Sequence, residues 1–298
     1  MRLFRRKPVI PVLRLQGPIG SMPPVRSGLS LTAAAPAIER AFSMSKLPAV
    51  ALAINSPGGS PVQSHLIFQR IRQLATEKGK RVHVFCEDVA ASGGYFLALA
   101  GDEIYADPSS IVGSIGVISA SFGFVETLNK LGIERRVYTA GRSKSTLDPF
   151  LPEKAEDIAR LKVLQEDVHQ TFIGIVKSRR QDKLKGSDDE LFSGAFWSGP
   201  KALELGLIDG VGEMRSRLRA LYGDDVQLRA IPIGRQSLLN RILRRGDSMN
   251  KELLRLPAAA EVATLLSEGR APGLVSGRIA ADTLEALEAR ALWSRYGL

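Results

Sequence analysis

The run Ala49-Val50-Ala51-Leu52-Ala53-Ile54-Asn55-Ser56-Pro57-Gly58-Gly59-Ser60 decides the fold. Six apolar residues stop at a Pro-Gly-Gly turn, and Val62, Ile67, Ile71 and Leu74 then recur at helical spacing until Lys78-Gly79. A strand passing through a glycine turn into a helix is one βα unit, and the pattern repeats on both sides of it. Upstream, Val9 to Leu15 reads as an opening strand, Gly17 to Gly28 as a Pro/Gly/Ser-rich loop and Thr32 to Phe42 as an Ala-rich helix. Downstream, Val82 to Cys86 is a strand and Ala90 to Ala100 a helix. Glu103 to Ala106, Gly116 to Ile118 and Arg136 to Thr139 read as short strands, with a helix from Phe124 to Leu131. Strands that are apolar throughout and alternate with helices belong to a parallel sheet covered on both faces, so the fold class is α/β.

Beyond this core, Ile158, Leu161, Val163, Leu164, Val168, Phe172, Ile173 and Val176 mark the apolar face of a long amphipathic helix over Pro152 to Arg180, a face that packs or oligomerises. Ser198 to Leu205 is a further helix, followed by a strand-turn remnant at Leu207 to Gly212. From about Arg235 the composition turns to Arg, Leu and Ala, and Asp282 with Glu285 has the capping-box spacing. The expected organisation is an N-terminal strand and loop over 1–30, a core domain over 31–235 and a helical extension over 236–298.

Composition narrows the chemistry. The chain has 298 residues, 44% of them hydrophobic and 24% charged, which is the range of folded globular proteins rather than disordered or fibrous ones. Cys86 is the single cysteine, inside an apolar run, and reads as a buried hydrophobe. With one cysteine and only His65, His83 and His169, neither a disulfide scaffold nor a Cys- or His-rich metal site is expected, and no cofactor is implied. The net charge of +10 favours an anionic partner, and peripheral contact with an anionic membrane is the expectation. The basic clusters around Arg5, Arg179 and Arg244 have no interleaved aromatics, so nucleic acid is not expected, and each cluster reads as a solvated face. Prolines 8 and 11 and Arg14 interrupt the first apolar run, so neither a signal peptide nor a spanning helix is read there, and a cytoplasmic location is expected.

The stretch that can carry chemistry is Asp88-Val89-Ala90-Ala91-Ser92-Gly93-Gly94-Tyr95-Phe96. A serine between alanine and two glycines, where a strand turns into a helix, exposes its hydroxyl beside the next backbone N–H. Gly58 and Gly59 are placed to offer further N–H donors to a substrate carbonyl, since no Cβ stands in the way. The alternative readings are an ordinary helix cap at Ser92 and an ordinary turn at Gly58. The serine's base is open among His65, His83 and the thirteen lysines. A lysine serving near neutral pH must lose about 2 to 4 pKa units, roughly 3 to 5 kcal/mol, which burial can supply.

From about Val9 to Gly212 the chain resembles the signal peptide peptidase A family of serine proteases, SppA and its SohB-like relatives, which have the Clp-protease/crotonase fold. The matching pieces are Asn55 to Gly59, Asp88 to Tyr95, Asp107 to Val117, the lysine of Gly141-Arg142-Ser143-Lys144-Ser145, and Ala202 to Asp209. The resemblance implies Ser92 as nucleophile, Lys144 as general base, and Ser114 orienting the lysine amine. Gly58, Gly59 and Gly93 would bind the substrate and supply the oxyanion donors. It also implies an endopeptidase of extended peptides, such as remnant signal peptides or membrane-protein segments, working as a homo-oligomer. A Clp-type Ser-His-Asp site would need a histidine after the serine segment, and none stands between Ser92 and Lys144. A crotonase reading would enlist Glu87 or Asp88, and a non-catalytic scaffold that binds peptides or membrane proteins is the reading from another class.

Overall fold

Two parallel strands side by side set the architecture, and the computed structural model describes residues 7–20, 28–141 and 143–233 around them. Strand β1 (Val9–Gln16) pairs with β2 (Ala49–Ser56), and β2 pairs with β3 (Arg81–Ala91), all parallel. Between them run helices α1 (Leu31–Ser43) and α2 (Pro61–Lys78). Ser60 caps α2 with its side chain, Pro61 opens it, and Gly79 closes it in the left-handed conformation, the asymmetry expected of a helix with a clean start and stop.

The long β3 serves two neighbours. Its first half pairs with β4 (Glu103–Ala106) and its second half with β5 (Ile111–Gly113), while the short helix α3 (Gly93–Ala98) follows it. Helices α4 (Val125–Lys130), α5 (Ala155–Arg180) and α6 (Asp188–Leu191) come next. The sheet then gains β6 (Phe196–Ser198), antiparallel to β5, and β7 (Gly210–Val211) beside β4, with helix α7 (Gly199–Glu204) between them. Helix α8 (Met214–Tyr222) leads to β8 (Gln227–Ile231), which pairs with β1 at the far edge.

The larger core lies on the sheet face covered by α1, α2, α3, α5 and α7, and holds Leu13, Leu15, Leu52, Ile54, Val82, Val84 and Ile67. The opposite face packs Ile10, Val12, Ala49, Ala51, Ala53 and Phe85 against Leu218 of α8 and Val226. Alternation along β1 and β2 divides side chains between the two cores, and both are apolar, as the strand patterns predict.

Three local expectations are corrected. The Ala90–Ala100 helix starts only at Gly93, because Val89, Ala90 and Ala91 remain strand, paired with Ile111, Val112 and Gly113. The strand expected at Gly116–Ile118 lies earlier, at Ile111–Gly113. Arg136–Thr139 forms no strand: it is fully exposed and no neighbouring strand pairs with it. The helical extension over 236–298 lies outside the described residues.

Candidate active site

Parallel pairing brings the carboxyl ends of β2 and β3 to the same edge, and the register decides what meets there. Ile54 pairs with Cys86, and Ser56 with Ala90, so β3 bulges over the intervening residues. Asn55 holds that bulge: its Nδ2 donates to Asp88 Oδ2 at 2.6 Å and its Oδ1 accepts from the Val89 N–H at 3.3 Å. Glu87 pairs with Arg14. Both carboxylates offered by a crotonase reading are therefore engaged with their own scaffold. Two residues beyond the Ser56/Ala90 pair stand Gly58 on one chain end and Ser92 on the other.

Gly58 is buried and the contact is close. A Cβ at Gly58 would lie 2.8 Å from the Gly93 nitrogen and 2.8 Å from the Ser92 Cβ, and φ there is +103°. Only glycine fits. Ala substitution at Gly58 should therefore cost about 1 to 3 kcal/mol of stability and push the Ser92 turn aside, lowering any peptidase turnover by about 10²-fold. Gly79→Ala is the control, because the Gly79 Cβ would meet nothing within 4 Å. Its left-handed φ of +59° should still cost about 1 to 2 kcal/mol, but with no steric push on the Ser92 turn it should keep its turnover. Thermal melts and kcat/KM on the two variants check both statements.

Ser92 itself has φ 52° and ψ −123°, a conformation that residues with a Cβ avoid. Its N–H donates to the Gly113 carbonyl at 2.8 Å and its carbonyl accepts from Phe96 N at 3.0 Å, so both flanking elements hold the turn. It occupies the cap position of α3, yet its side chain makes no capping bond. Ser60 at the start of α2 is an ordinary cap by comparison. Ser92 thus holds a strained turn without using its side chain as a helix cap, the arrangement that makes it the candidate for chemistry.

The other candidate residues sort into two groups. Ser114 follows directly after Gly113, the residue whose carbonyl accepts the Ser92 N–H; it is buried with φ 53°, and its own N–H donates to Ala195 O at 2.7 Å. Gly93 is buried, packed between Gly58 and Ser64 Oγ. The Gly58 N–H donates to Ser56 Oγ at 3.2 Å, a long bond. Gly59 sits in a bridge to Ile19, whose N–H donates to Gly58 O at 2.8 Å and whose carbonyl accepts from Ser60 N at 2.7 Å. The edge beside Gly58 is thus already taken by the chain's own Ile19. Lys144 stands apart: it is exposed, in a turn after Gly141, and does not line the cavity at Ser92.

That cavity, of about 210 Å³, opens beside Ser92 and Gly93. Its walls are Val62, His65 and Leu66 of α2, Phe96 of α3, and Val168, Thr171 and Phe172 of α5, with Gly116 and Val117 at one side. The α5 face predicted from its periodicity divides in two. Phe172 stacks on Phe96 with centroids 4.9 Å apart, whereas Val163 and Leu164 are exposed. Among the sequence candidates for a base, His65 shares the cavity with Ser92. His83 faces the other core, 2.8 Å from the Tyr222 hydroxyl. Burial pushes the Cys86 thiol up to about 12, so it is protonated at neutral pH and is no nucleophile. No group of metal-binding side chains occurs among the described residues.

Sequence reasoning missed a buried ion pair at the end of α5. Arg180, read as part of a solvated basic cluster, is 3% exposed and binds Asp209 through Nη1 at 2.8 Å and Nη2 at 3.2 Å, and Gly206 O through Nε at 2.8 Å. Its neighbour Arg179 donates to the carbonyls of Leu99 and Gly101. The signal was present in the acidic end of Leu205-Gly206-Leu207-Ile208-Asp209, a carboxylate after three apolar positions that needs a cation once buried.

Comparison with known proteins agrees with this geometry. Residues 75–225 match the family model described as peptidase family S49. A protein of Brucella abortus named as a Na(+)/H(+) antiporter NhaA is 55% identical over 293 residues, 97% of this chain but 37% of that protein. A putative protease of Synechocystis is 34% identical over 212 residues, 68% of this chain and 74% of that protein. The chloroplastic serine protease SPPA of Arabidopsis thaliana is 31% identical over 208 residues, 68% of this chain and 29% of that protein. The chain therefore spans well under two thirds of the antiporter-named relative's length. No described helix is long and apolar enough to cross a membrane. A parallel α/β core with a strained serine at its carboxyl edge, a family match over half the chain and protease-named relatives lead to one statement: the chain belongs to peptidase family S49 and has its Clp-protease/crotonase-like fold.

Proposed function

We propose that the chain is a serine endopeptidase using Ser92 as nucleophile and Lys144 as general base, acting on extended peptides with an apolar residue at the cut. The observation that carries this reading is Ser92: a strained, non-capping hydroxyl that opens on an apolar cavity and packs against the Gly58 and Gly93 backbone. In the reaction, Ser92 Oγ attacks the scissile carbonyl while Lys144 Nζ takes its proton. Charge on the carbonyl oxygen is met by the Gly93 N–H and by the Gly58 N–H, which exchanges its long bond to Ser56 for a charge-assisted one. Collapse breaks the C–N bond, and the proton on Lys144 passes to the departing amine. Lys144 then removes a proton from water as it attacks the acyl-serine, and collapse of the second tetrahedral intermediate breaks the acyl C–Oγ bond while Lys144 returns that proton to Ser92 Oγ. Ser114 orients the amine. Remnant signal peptides and membrane-protein segments are substrates of the right chemistry.

Lys144 needs a surface to cover it, because desolvation is what makes a lysine a base. The segment that carries it exposes Ile118, Leu131 and Ile133, with Phe122 79% and Tyr138 89% exposed. Exposed apolar side chains in such number mark an interaction surface. A second copy of the chain is the occupant proposed, which buries this segment and brings Lys144 to Ser92. Tyr138→Glu should then shift the chain toward monomer in light scattering and lower turnover by about 10-fold or more; unchanged mass and turnover would remove the segment from the interface.

The direct test is a fluorophosphonate label. It should attach to Ser92, identified by peptide mass spectrometry, and be absent from Ser92→Ala. No label and no peptide hydrolysis in the assembled wild-type chain would leave the peptide-binding scaffold as the reading.

A further inference from the structure

We infer that His65 is the specificity-determining residue of the cavity beside Ser92, and that its charge sets whether the cavity takes an apolar or an acidic side chain. The inference rests on the peptidase reading and extends it to substrate choice. Among the described residues every other side chain lining the cavity is apolar or a neutral hydroxyl, so His65 is the lining group that can change charge, beside the Lys144 amine that assembly is proposed to bring to Ser92. Its ring packs 5.7 Å from Phe96, tilted 56°, and 6.4 Å from Phe68. Phe96 in turn packs on Phe172 across the cavity floor. The imidazole is half-buried and forms one panel of an otherwise largely apolar wall.

The described charged groups of the surrounding elements do not line the cavity. On α2, Arg70 pairs with Glu39 and Arg72 with Asp102. On α3, Tyr95 donates its hydroxyl to Leu207 O at 2.7 Å. On α5, His169 donates through Nε2 to Ile115 O at 3.0 Å, Glu166 accepts from Gln170, and Asp167 is exposed and lines no part of the cavity. The segment Gly116–Val117 has no titratable side chain, nor has the Ser92–Gly93 turn. Nothing in the lining offsets a charge on His65.

Histidine is the side chain whose charge ordinarily changes between pH 5 and 8. A neutral imidazole completes an apolar pocket, and a leucine-sized side chain gains by leaving water. An imidazolium in the same wall disfavours that side chain, because it must be desolvated against an apolar group, and attracts a carboxylate. A substrate glutamate stays ionised above about pH 4.3, so over the histidine range only the wall changes.

Two peptides that differ only in the residue donating the scissile carbonyl, Leu in one and Glu in the other, are mixed in one tube with the assembled chain, and their relative rates are measured at about pH 8 and about pH 5.5. Competition cancels any titration of the dyad, which acts on both alike. The Leu-to-Glu ratio should fall about tenfold on acidification, and should be independent of pH in His65→Gln and His65→Phe, with His65→Phe holding the high value. Four results overturn the inference: a wild-type ratio that does not move, a ratio that moves equally in both variants, a glutamyl peptide that is not cut at either pH, or a folded His65→Gln that cuts neither peptide, which would make His65 the base instead. Should wild type cut neither peptide while Ser92 takes no fluorophosphonate, the peptidase reading fails, and the inference with it.

Discussion

Ser92→Ala should lower kcat/KM on an extended peptide by about 10⁴-fold or more, Lys144→Ala should lower it by as much, and the double variant should be no worse than either. In the proposed dyad nucleophile and base act as one unit, so removing either would remove the acyl-enzyme route and leave the second deletion nothing further to take. KM should stay near the wild-type value in all three, since the apolar cavity that binds the side chain beside the cut is built by Phe96, Val168 and Phe172 and not by the dyad. Lys144→Arg is the informative companion: it keeps a cation at the position but supplies no neutral amine, so it should be as inactive as Lys144→Ala. Fluorophosphonate reactivity at Ser92 separates the roles further, falling steeply in Lys144→Ala if the lysine activates the hydroxyl. Full turnover in Lys144→Ala with none in Ser92→Ala would keep the nucleophile and hand the base to another residue, with His65 in the same cavity first in line.

The strand-to-helix turn at Ser92 could be read from residues alone because its requirement is local: a strand, a serine between small residues and a helix start within nine positions. The glycine turn after β2 was legible for a similar reason, although the distance between Gly58 and Ser92 in sequence hides how close the register brings them. The cavity was not legible. Its walls come from three helices, and the α5 periodicity that foretold burial of Phe172 said nothing of where Phe96 and His65 would meet it. Strand boundaries failed where tertiary pairing overrode local preference: Val89–Ala91 looks helical beside Ser92-Gly93-Gly94 but is held extended by β5. Arg136–Thr139 failed in the opposite direction, with strand-forming residues and no partner strand. Arg180 was misread because charge clusters carry no mark of burial; only the fold shows that a long helix delivers it beneath Gly206.

Arg180→Met should be among the most destabilising single substitutions in the core, about 3 kcal/mol or more, a fall in Tm of roughly 6 to 12 °C. The guanidinium holds Asp209 by two bonds and Gly206 O by a third, and Asp209 also accepts the Ile104 N–H at 2.8 Å, so one carboxylate ties α5, β4 and the segment before β7 together. Without Arg180 that carboxylate is left in a largely buried place with the half-exposed Lys183 as its cation and the Ile104 N–H as a neutral donor. Burial alone would raise the Asp209 pKa, but its hydrogen bonds to Arg180 and Lys183 outweigh this and hold it below the usual carboxylate range. A carboxyl depressed in the folded state stabilises the fold above its unfolded value of about 3.9 and loses that contribution as pH falls through the folded value. Wild-type urea midpoints should therefore drop on acidification from about pH 5 downward, less so in Arg180→Met and least in Asp209→Asn. The double variant Arg180→Met/Asp209→Asn should be less destabilised than the two single losses added together, because it leaves no unpaired charge behind. Strict additivity would mean that the two side chains stabilise the fold independently, and the pairing at the base of the α5 helix would then not be the source of the loss.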